Sequence, residues 1–155
     1  MSMTIRNKED LLLFSKWFKE LLAYHFPSRW PFNLNVKVET HIVTANKLEV
    51  DVLVRDLKDS RKVIAIELKE SDIDKAIQQA LKRKEVFNYV YVAINLPTAS
   101  ILAELRRHPE ALENGIGFIS TYDDCIVIRA YSHKKKESKR YLNLLELVKT
   151  IEKET

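Results

Sequence analysis

The fold is decided by Val63-Ile64-Ala65-Ile66-Glu67-Leu68-Lys69. The apolar beginning of this stretch is typical of a buried strand, and the end carries a carboxylate and an amine. Strand side chains alternate with a period of two, so Glu67 and Lys69 leave one face of the strand. Ile64, Ile66 and Leu68 leave the opposite face. We therefore predict a buried strand that presents an acid and a lysine side by side.

A second apolar strand, Leu48-Glu49-Val50-Asp51-Val52-Leu53-Val54, lies upstream and carries Asp51 at its middle. An acid in such a run is costly to bury unless it is paired or binds a metal. Mg²⁺ is usually held by one or two carboxylates. Asp51 and Glu67 would supply them, and the carbonyl of Leu68 could add a third ligand. Lys69 could orient a hydrolytic water or stabilise negative charge. The alternative is a solvated strand end or a simple ion pair.

The rest of the chain alternates between helix and strand patterns, with short connections that favour an antiparallel meander of three strands followed by a parallel crossover. The predicted order is α-β-β-β-α-β-α-β-β-α, an α/β fold with a mixed sheet flanked by helices. The predicted elements are a helix over 8–26, strands over 35–44, 48–55 and 63–69, a helix to about 88, a strand over 89–94, a helix from Thr98 or Ser100, a hairpin over 117–120 and 125–130, and a C-terminal helix over 141–154.

Local signals define several element boundaries and faces. Val36, Val38, Thr40 and Ile42 alternate and are predicted to share one face of the first strand. Ser71, with Asp74 three residues on, resembles a capping box for the helix that follows. His108-Pro109 is expected to interrupt the next helix, and Asn114-Gly115 to end it.

Composition favours one domain over 1–155, with its core at about 35–130. The chain has 155 residues, of which 46% are hydrophobic and 31% charged, with a net charge of +4. That mild basic excess permits a nucleic-acid partner. Cys125 is the only cysteine, so no intrachain disulfide can form. The N-terminal residues lack a signal-peptide pattern and no apolar run is long enough to span a bilayer, so a soluble cytoplasmic protein without membrane contact is expected.

The ordered set of strands and helix resembles a known family. The strand pair 48–54 and 64–69, followed by a helix over 72–86 that carries Ala76-Ile77-Gln78-Gln79-Ala80-Leu81, is similar to the core of the PD-(D/E)xK nuclease superfamily. The resemblance covers about 35–130. It implies the restriction-endonuclease-like fold and a Mg²⁺- or Mn²⁺-dependent endonuclease that hydrolyses phosphodiester bonds in DNA. Val50 stands where many members have proline.

The family's functional residues map onto this sequence one by one. The resemblance implies that Asp51 and Glu67 bind the metal and that Lys69 is the catalytic lysine. It also implies a catalytic glutamine at Gln79, with Gln78 as the other candidate. Many members add a further acid. Glu9, Glu20 and Glu39 are candidates here, with a slight preference for Glu39 because its strand is predicted to adjoin that of Asp51.

Basic segments indicate where nucleic acid would bind, and chain size bears on the oligomeric state. Lys82, Arg83 and the run Lys134, Lys135 and Lys136 are candidates for phosphate contacts. The size and the glutamine-bearing helix also resemble archaeal Holliday-junction resolvases, which act as dimers, so a homodimer is a candidate state. The four histidines, His25, His41, His108 and His133, show no spacing typical of a zinc site.

Two other functions fit the same pattern. One is a catalytically silent nuclease-like domain that binds nucleic acid or a protein partner. The other is a structural protein in which Glu67 and Lys69 form an ion pair. The intact set of Asp51, Glu67 and Lys69 favours the enzyme, because a binding module has no need of it.

Overall fold

A computed structural model of the chain describes residues 15–27, 36–43, 49–58 and 62–132. The predicted helix over 141–154, the lysines at 134–136, Glu9 and the first part of the N-terminal helix lie outside this range. The described elements are α1 (Lys16–His25), β1 (Val36–Val43), β2 (Glu49–Asp56), β3 (Val63–Lys69), α2 (Ile73–Lys84), β4 (Tyr89–Ile94), α3 (Thr98–Leu105), α4 (Pro109–Glu113), β5 (Gly117–Ser120) and β6 (Cys125–Ile128).

The six strands form one mixed sheet in the order β1-β2-β3-β4-β5-β6. β1, β2 and β3 pair antiparallel, which confirms the predicted meander. β4 lies parallel to β3, and the crossover between them contains α2, as predicted. β5 is parallel to β4, and β6 returns antiparallel as a hairpin. The chain therefore has an α/β fold with a mixed sheet flanked by helices.

Each face of the sheet carries its own apolar cluster. Ile64 and Ile66 of β3 pack with Trp17 and Leu21 of α1, on what we call the α1 face. Ala65 of β3 packs on the opposite side with residues of α2, α3 and α4, on what we call the α2 face. The alternation predicted for β3 is thus confirmed. Full burial of an isoleucine side chain contributes about 1.5–3 kcal/mol, which strongly fixes this register.

The start and end of α2 differ from the prediction. Asp72 is the N-cap, and its side chain accepts a hydrogen bond from the Lys75 amide at 3.1 Å, so the predicted capping box with Ser71 was wrong. The helix ends at Lys84 rather than near residue 88. Beyond it the amides of both Val86 and Phe87 donate to the Arg83 carbonyl, and this turn leads the chain into β4.

β1 departs from simple alternation at His41, whose φ is 54°. Val36 and Val38 pack on the α1 face as predicted, but Ile42 packs on the α2 face. The change of face coincides with the left-handed residue, and the prediction that Ile42 shares a face with Val36 was therefore wrong.

The segment after α3 behaves as predicted. The helix is interrupted before Pro109, where α4 begins, and α4 ends in a turn with Gly115 at a φ of 72°. A Cβ at Gly115 would approach the Tyr131 carbonyl oxygen to 2.8 Å, so glycine is required for space as well as for conformation. Within the described ranges, no helix has the length and apolar character needed to cross a membrane.

Candidate metal centre

Asp51 and Glu67 meet on the α2 face of the sheet. β2 and β3 pair Val52 with Ile66 and Leu53 with Ala65, and this antiparallel register places Asp51 opposite Glu67. The two side chains are hydrogen-bonded to each other. Asp51 is half-buried, whereas Glu67 is only 2% exposed. The structure thus brings together the two acids that the sequence singled out.

Burial controls the charge of this pair. Loss of solvent, and after it the neighbouring charge of Asp51, raise the pKa of Glu67 from 4.5 to about 8. The positive charges of Arg83 and Lys69 act in the opposite direction without cancelling this effect. At neutral pH Glu67 therefore keeps its proton, because a buried carboxyl beside a second acid resists ionisation.

Arg83 lies inside the site. Its Nε forms an ion pair with Glu67 Oε1, and the residue is only 8% exposed. Nη2 and Nε both donate to the Glu49 carbonyl, at 2.6 and 3.1 Å, while Nη1 donates to the Gln79 carbonyl at 3.0 Å. A residue held in this way is not at the surface, where a phosphate contact would require it. Of the two predicted contacts on α2, only Lys82 is exposed.

Glu67 Oε1 is buried and has no hydrogen-bond donor aligned with it among the described residues. The N–H of Arg83 Nε, although close, is directed at the Glu49 carbonyl. Oε1 therefore has an attractive charge beside it but a lone pair left unused. A buried oxygen of this kind suits coordination of a cation.

Leu68 contributes through its backbone. Its N–H donates to Asp51 Oδ2 at 2.8 Å, which fixes one oxygen of that carboxylate. The N–H and C=O of a strand residue leave the same edge of the strand, so the Leu68 carbonyl also faces β2. The Leu68 carbonyl, the predicted third metal ligand, therefore lies on the edge of β3 that faces Asp51.

Lys69 lies near the acid pair, and Gln79 lies one helical turn from Arg83. Lys69 is half-buried, two residues beyond Glu67 on the same strand face, and its charge lowers the pKa of Glu67. Gln79 precedes Arg83 by one turn of α2, and its buried Oε1 lacks a hydrogen-bond partner within the part of the chain that the structure describes. Gln78 is exposed, so Gln79 is the better placed of the two glutamines.

The acid expected from β1 is not beside the pair. Glu39 lies opposite Leu53 and pairs with Arg55 at 2.8 Å and with Lys37 at 3.9 Å. Glu20, on α1, forms an ion pair with Lys16, with 3.6 Å between Glu20 Oε1 and Lys16 Nζ. The structure therefore brings neither of these described candidates to Asp51.

His41 and Glu49 are the residues that the sequence did not single out. One ligand atom from each lies within 4.8 Å of the other and of a carboxylate oxygen of Asp51. Sequence spacing hides the group because its members come from two strands. The signal that could have revealed it is the short hairpin, which places position 41 opposite position 51. A second group, Asp74, Glu104 and His108, lies where α2 meets α3 and α4.

The donors fit the predicted cofactor. Asp51, Glu67 and the Leu68 carbonyl are hard oxygen ligands, which Mg²⁺ and Mn²⁺ accept. Glu67 Oε1, which accepts no hydrogen bond from the residues that the structure describes, gives the fit a structural basis. These residues could hold one such cation once Glu67 has lost its proton.

Comparison of the sequence with protein-family models and with curated proteins found no match. Among solved structures, the chain is similar to the SPO1766 protein of unknown function from Silicibacter pomeroyi. The two are 22% identical, and the match covers 84% of this chain and 80% of that one with a TM-score of 0.45.

Proposed function

We propose that the chain is a Mg²⁺- or Mn²⁺-dependent nuclease of restriction-endonuclease-like fold that hydrolyses phosphodiester bonds in DNA. One observation carries the proposal: the carboxyls of Asp51 and Glu67 meet on adjacent strands, with Lys69 on the same face. A purely structural protein gains little from this arrangement, because a buried acid beside a half-buried one destabilises the fold unless a proton or a cation compensates.

The ligands would be Asp51, Glu67 and the Leu68 carbonyl, and the bound cation would supply an activated water and neutralise charge on the phosphate. Asp51 is oriented for this by the Leu68 amide, which donates to its Oδ2 at 2.8 Å. Glu67 must give up its proton first, so its raised pKa weakens metal binding below about pH 8.

The remaining residues act on the substrate and the water. The ammonium of Lys69 can stabilise the negative charge that develops on the phosphoryl oxygens or orient the attacking water. Gln79 offers an amide whose oxygen has no partner among the described residues and can accept a hydrogen bond from that water. Lys82 is exposed on α2 and would contact a phosphate of the strand being cut.

The second candidate is a catalytically silent domain that binds nucleic acid or a protein partner, and the position of Arg83 favours it. A guanidinium that already forms an ion pair with Glu67 offsets the charge that would attract a metal. In this alternative Arg83 permanently replaces the cation, and the acid pair serves only to position the helix on the sheet.

Cleavage assays with and without metal distinguish the two. Labelled DNA and RNA substrates, as single strands, duplexes, flaps and junctions, are incubated with Mg²⁺, Mn²⁺ or EDTA. We expect metal-dependent cleavage of DNA by the wild type and none by Asp51→Asn, which should still bind DNA in EDTA because a charge that repels phosphates is removed. Glu85→Gln, which changes an exposed acid on the turn after α2, is the matched control. Binding without cleavage under every metal condition would favour the silent domain.

A further inference from the structure

The end of β1 and the start of β2 bring one histidine against two acids. His41, Glu49 and Asp51 each offer a ligand atom, and these three atoms lie within 4.8 Å of one another. His41 and Glu49 are exposed and Asp51 is half-buried, so the group opens to solvent on one side and adjoins the acid pair on the other.

The backbone of β1 is shaped to deliver His41 to this group. Its neighbours Thr40 and Ile42 pair with Val52 and Val50, which places His41 opposite Asp51. The φ of 54° is a left-handed conformation that residues other than glycine seldom adopt. The simple alternation of β1 is lost at this residue, and the imidazole lies beside both carboxylates.

Two contacts from other elements hold the acids in place. The Glu49 carbonyl accepts two hydrogen bonds from the buried Arg83 of α2, at 2.6 and 3.1 Å. Asp51 Oδ2 accepts the Leu68 amide at 2.8 Å. The backbone of one acid and one carboxylate oxygen of the other are therefore fixed before any ligand arrives, which lowers the entropic cost of binding.

We propose that His41, Glu49 and Asp51 form a binding position for a divalent transition-metal ion. One imidazole nitrogen with two carboxylate oxygens is a donor set that suits Mn²⁺, Co²⁺ or Zn²⁺, whereas Mg²⁺ takes oxygen ligands. The inference deepens the proposed function and rests on it in part, because Asp51 belongs to both groups. It predicts that the centre binds transition metals more tightly than Mg²⁺ and that His41 is the reason.

Calorimetric titration with Co²⁺ and with Mg²⁺, in the absence of nucleic acid, tests the proposal. His41→Gly and His41→Asn both tolerate a left-handed backbone and both remove the imidazole. We expect either change to weaken Co²⁺ binding by about tenfold or more and Mg²⁺ binding by less than about threefold. The visible absorption of bound Co²⁺ should change as well, because a nitrogen ligand is lost.

His108→Gln is the matched control, since it removes the histidine of the Asp74, Glu104 and His108 group. It should leave Co²⁺ affinity unchanged. Equal Co²⁺ affinity in wild type and His41→Gly would overturn the proposal, as would a loss confined to His108→Gln.

Binding and cleavage are measured separately, so the two proposals fail separately. Metal-dependent cleavage together with Co²⁺ binding that ignores His41 overturns this inference and leaves the nuclease standing. Co²⁺ binding that depends on His41, in a protein that cuts no substrate, supports the metal position and removes the nuclease.

Discussion

Glu67→Gln should remove a large pH dependence from the stability of the metal-free protein. The change keeps the size of a side chain that is 2% exposed and removes its titration. In the wild type the folded state raises the pKa of Glu67 from 4.5 to about 8 through burial and the charge of Asp51. Between these two values the folded protein holds a proton that the unfolded chain has released.

The sign and size of the effect follow from that difference. The contribution of protonated Glu67 is complete below pH 4.5 and is lost as the pH rises to about 8, because the unfolded chain binds fewer protons there. A shift of about 3.5 units at about 1.36 kcal/mol each corresponds to a loss of about 5 kcal/mol across the window. This is a large part of the stability of a domain of this size, which is about 5–15 kcal/mol. A neutral glutamine has no such loss.

The assay is urea unfolding in EDTA at several values between about pH 4.5 and 9, on wild type and Glu67→Gln. The quantity of interest is the difference in unfolding free energy between the two proteins at each pH, because other titrating groups cancel in it. Glu67→Gln should match the wild type near pH 4.5 and exceed it by several kcal/mol near pH 9. Glu85→Gln should show a flat difference. A flat difference for Glu67→Gln as well would refute the argument that burial keeps Glu67 protonated in the folded protein.

Three further predictions concern the lysines and a buried histidine. Lys69→Met should retain metal binding and lose most cleavage, because a positive charge is removed from the transition state. Single-turnover cleavage with Mn²⁺ checks this, with Lys75→Met as the control. Full activity in Lys69→Met would remove Lys69 from the mechanism. Replacing the run at 134–136 with glutamine should flatten the dependence of DNA affinity on salt, measured by titration between about 50 and 200 mM, and an unchanged slope would take that run off the binding surface. His25, whose Nε2 lies 2.6 Å from the Tyr91 hydroxyl, has its pKa lowered from 6.5 to about 4 by burial and by the charges of Lys62 and Arg129. The stability that neutral His25 confers is present above pH 6.5 and should fall by about 3 kcal/mol as the pH drops to about 4. In urea unfolding, His25→Gln should lose this acid sensitivity. An equal acid response in both proteins would contradict the prediction.

Local periodicity was sufficient to predict the central strands and their helix. Alternation in 63–69 placed Ile64 and Ile66 on one face and Glu67 on the other, and the structure agrees. The short connections predicted antiparallel pairing, and that pairing set Asp51 against Glu67. These results depend on side-chain direction and loop length, which neighbouring residues specify by themselves.

Other features required the tertiary structure. From the sequence, Arg83 is expected to be a surface cation. Only the packing of α2 on the sheet brings it to Glu67 and to the Glu49 carbonyl. Glu39 reads as a neighbour of Asp51, but Arg55 lies beside it. His41 reads as one more residue of an alternating strand, yet its backbone is left-handed and its ring joins two acids. The sequence determined which residue types face the same side of each strand. The charge and ligand set of the centre were decided by contacts between elements far apart in the chain, because burial and pairing are properties of the packed molecule.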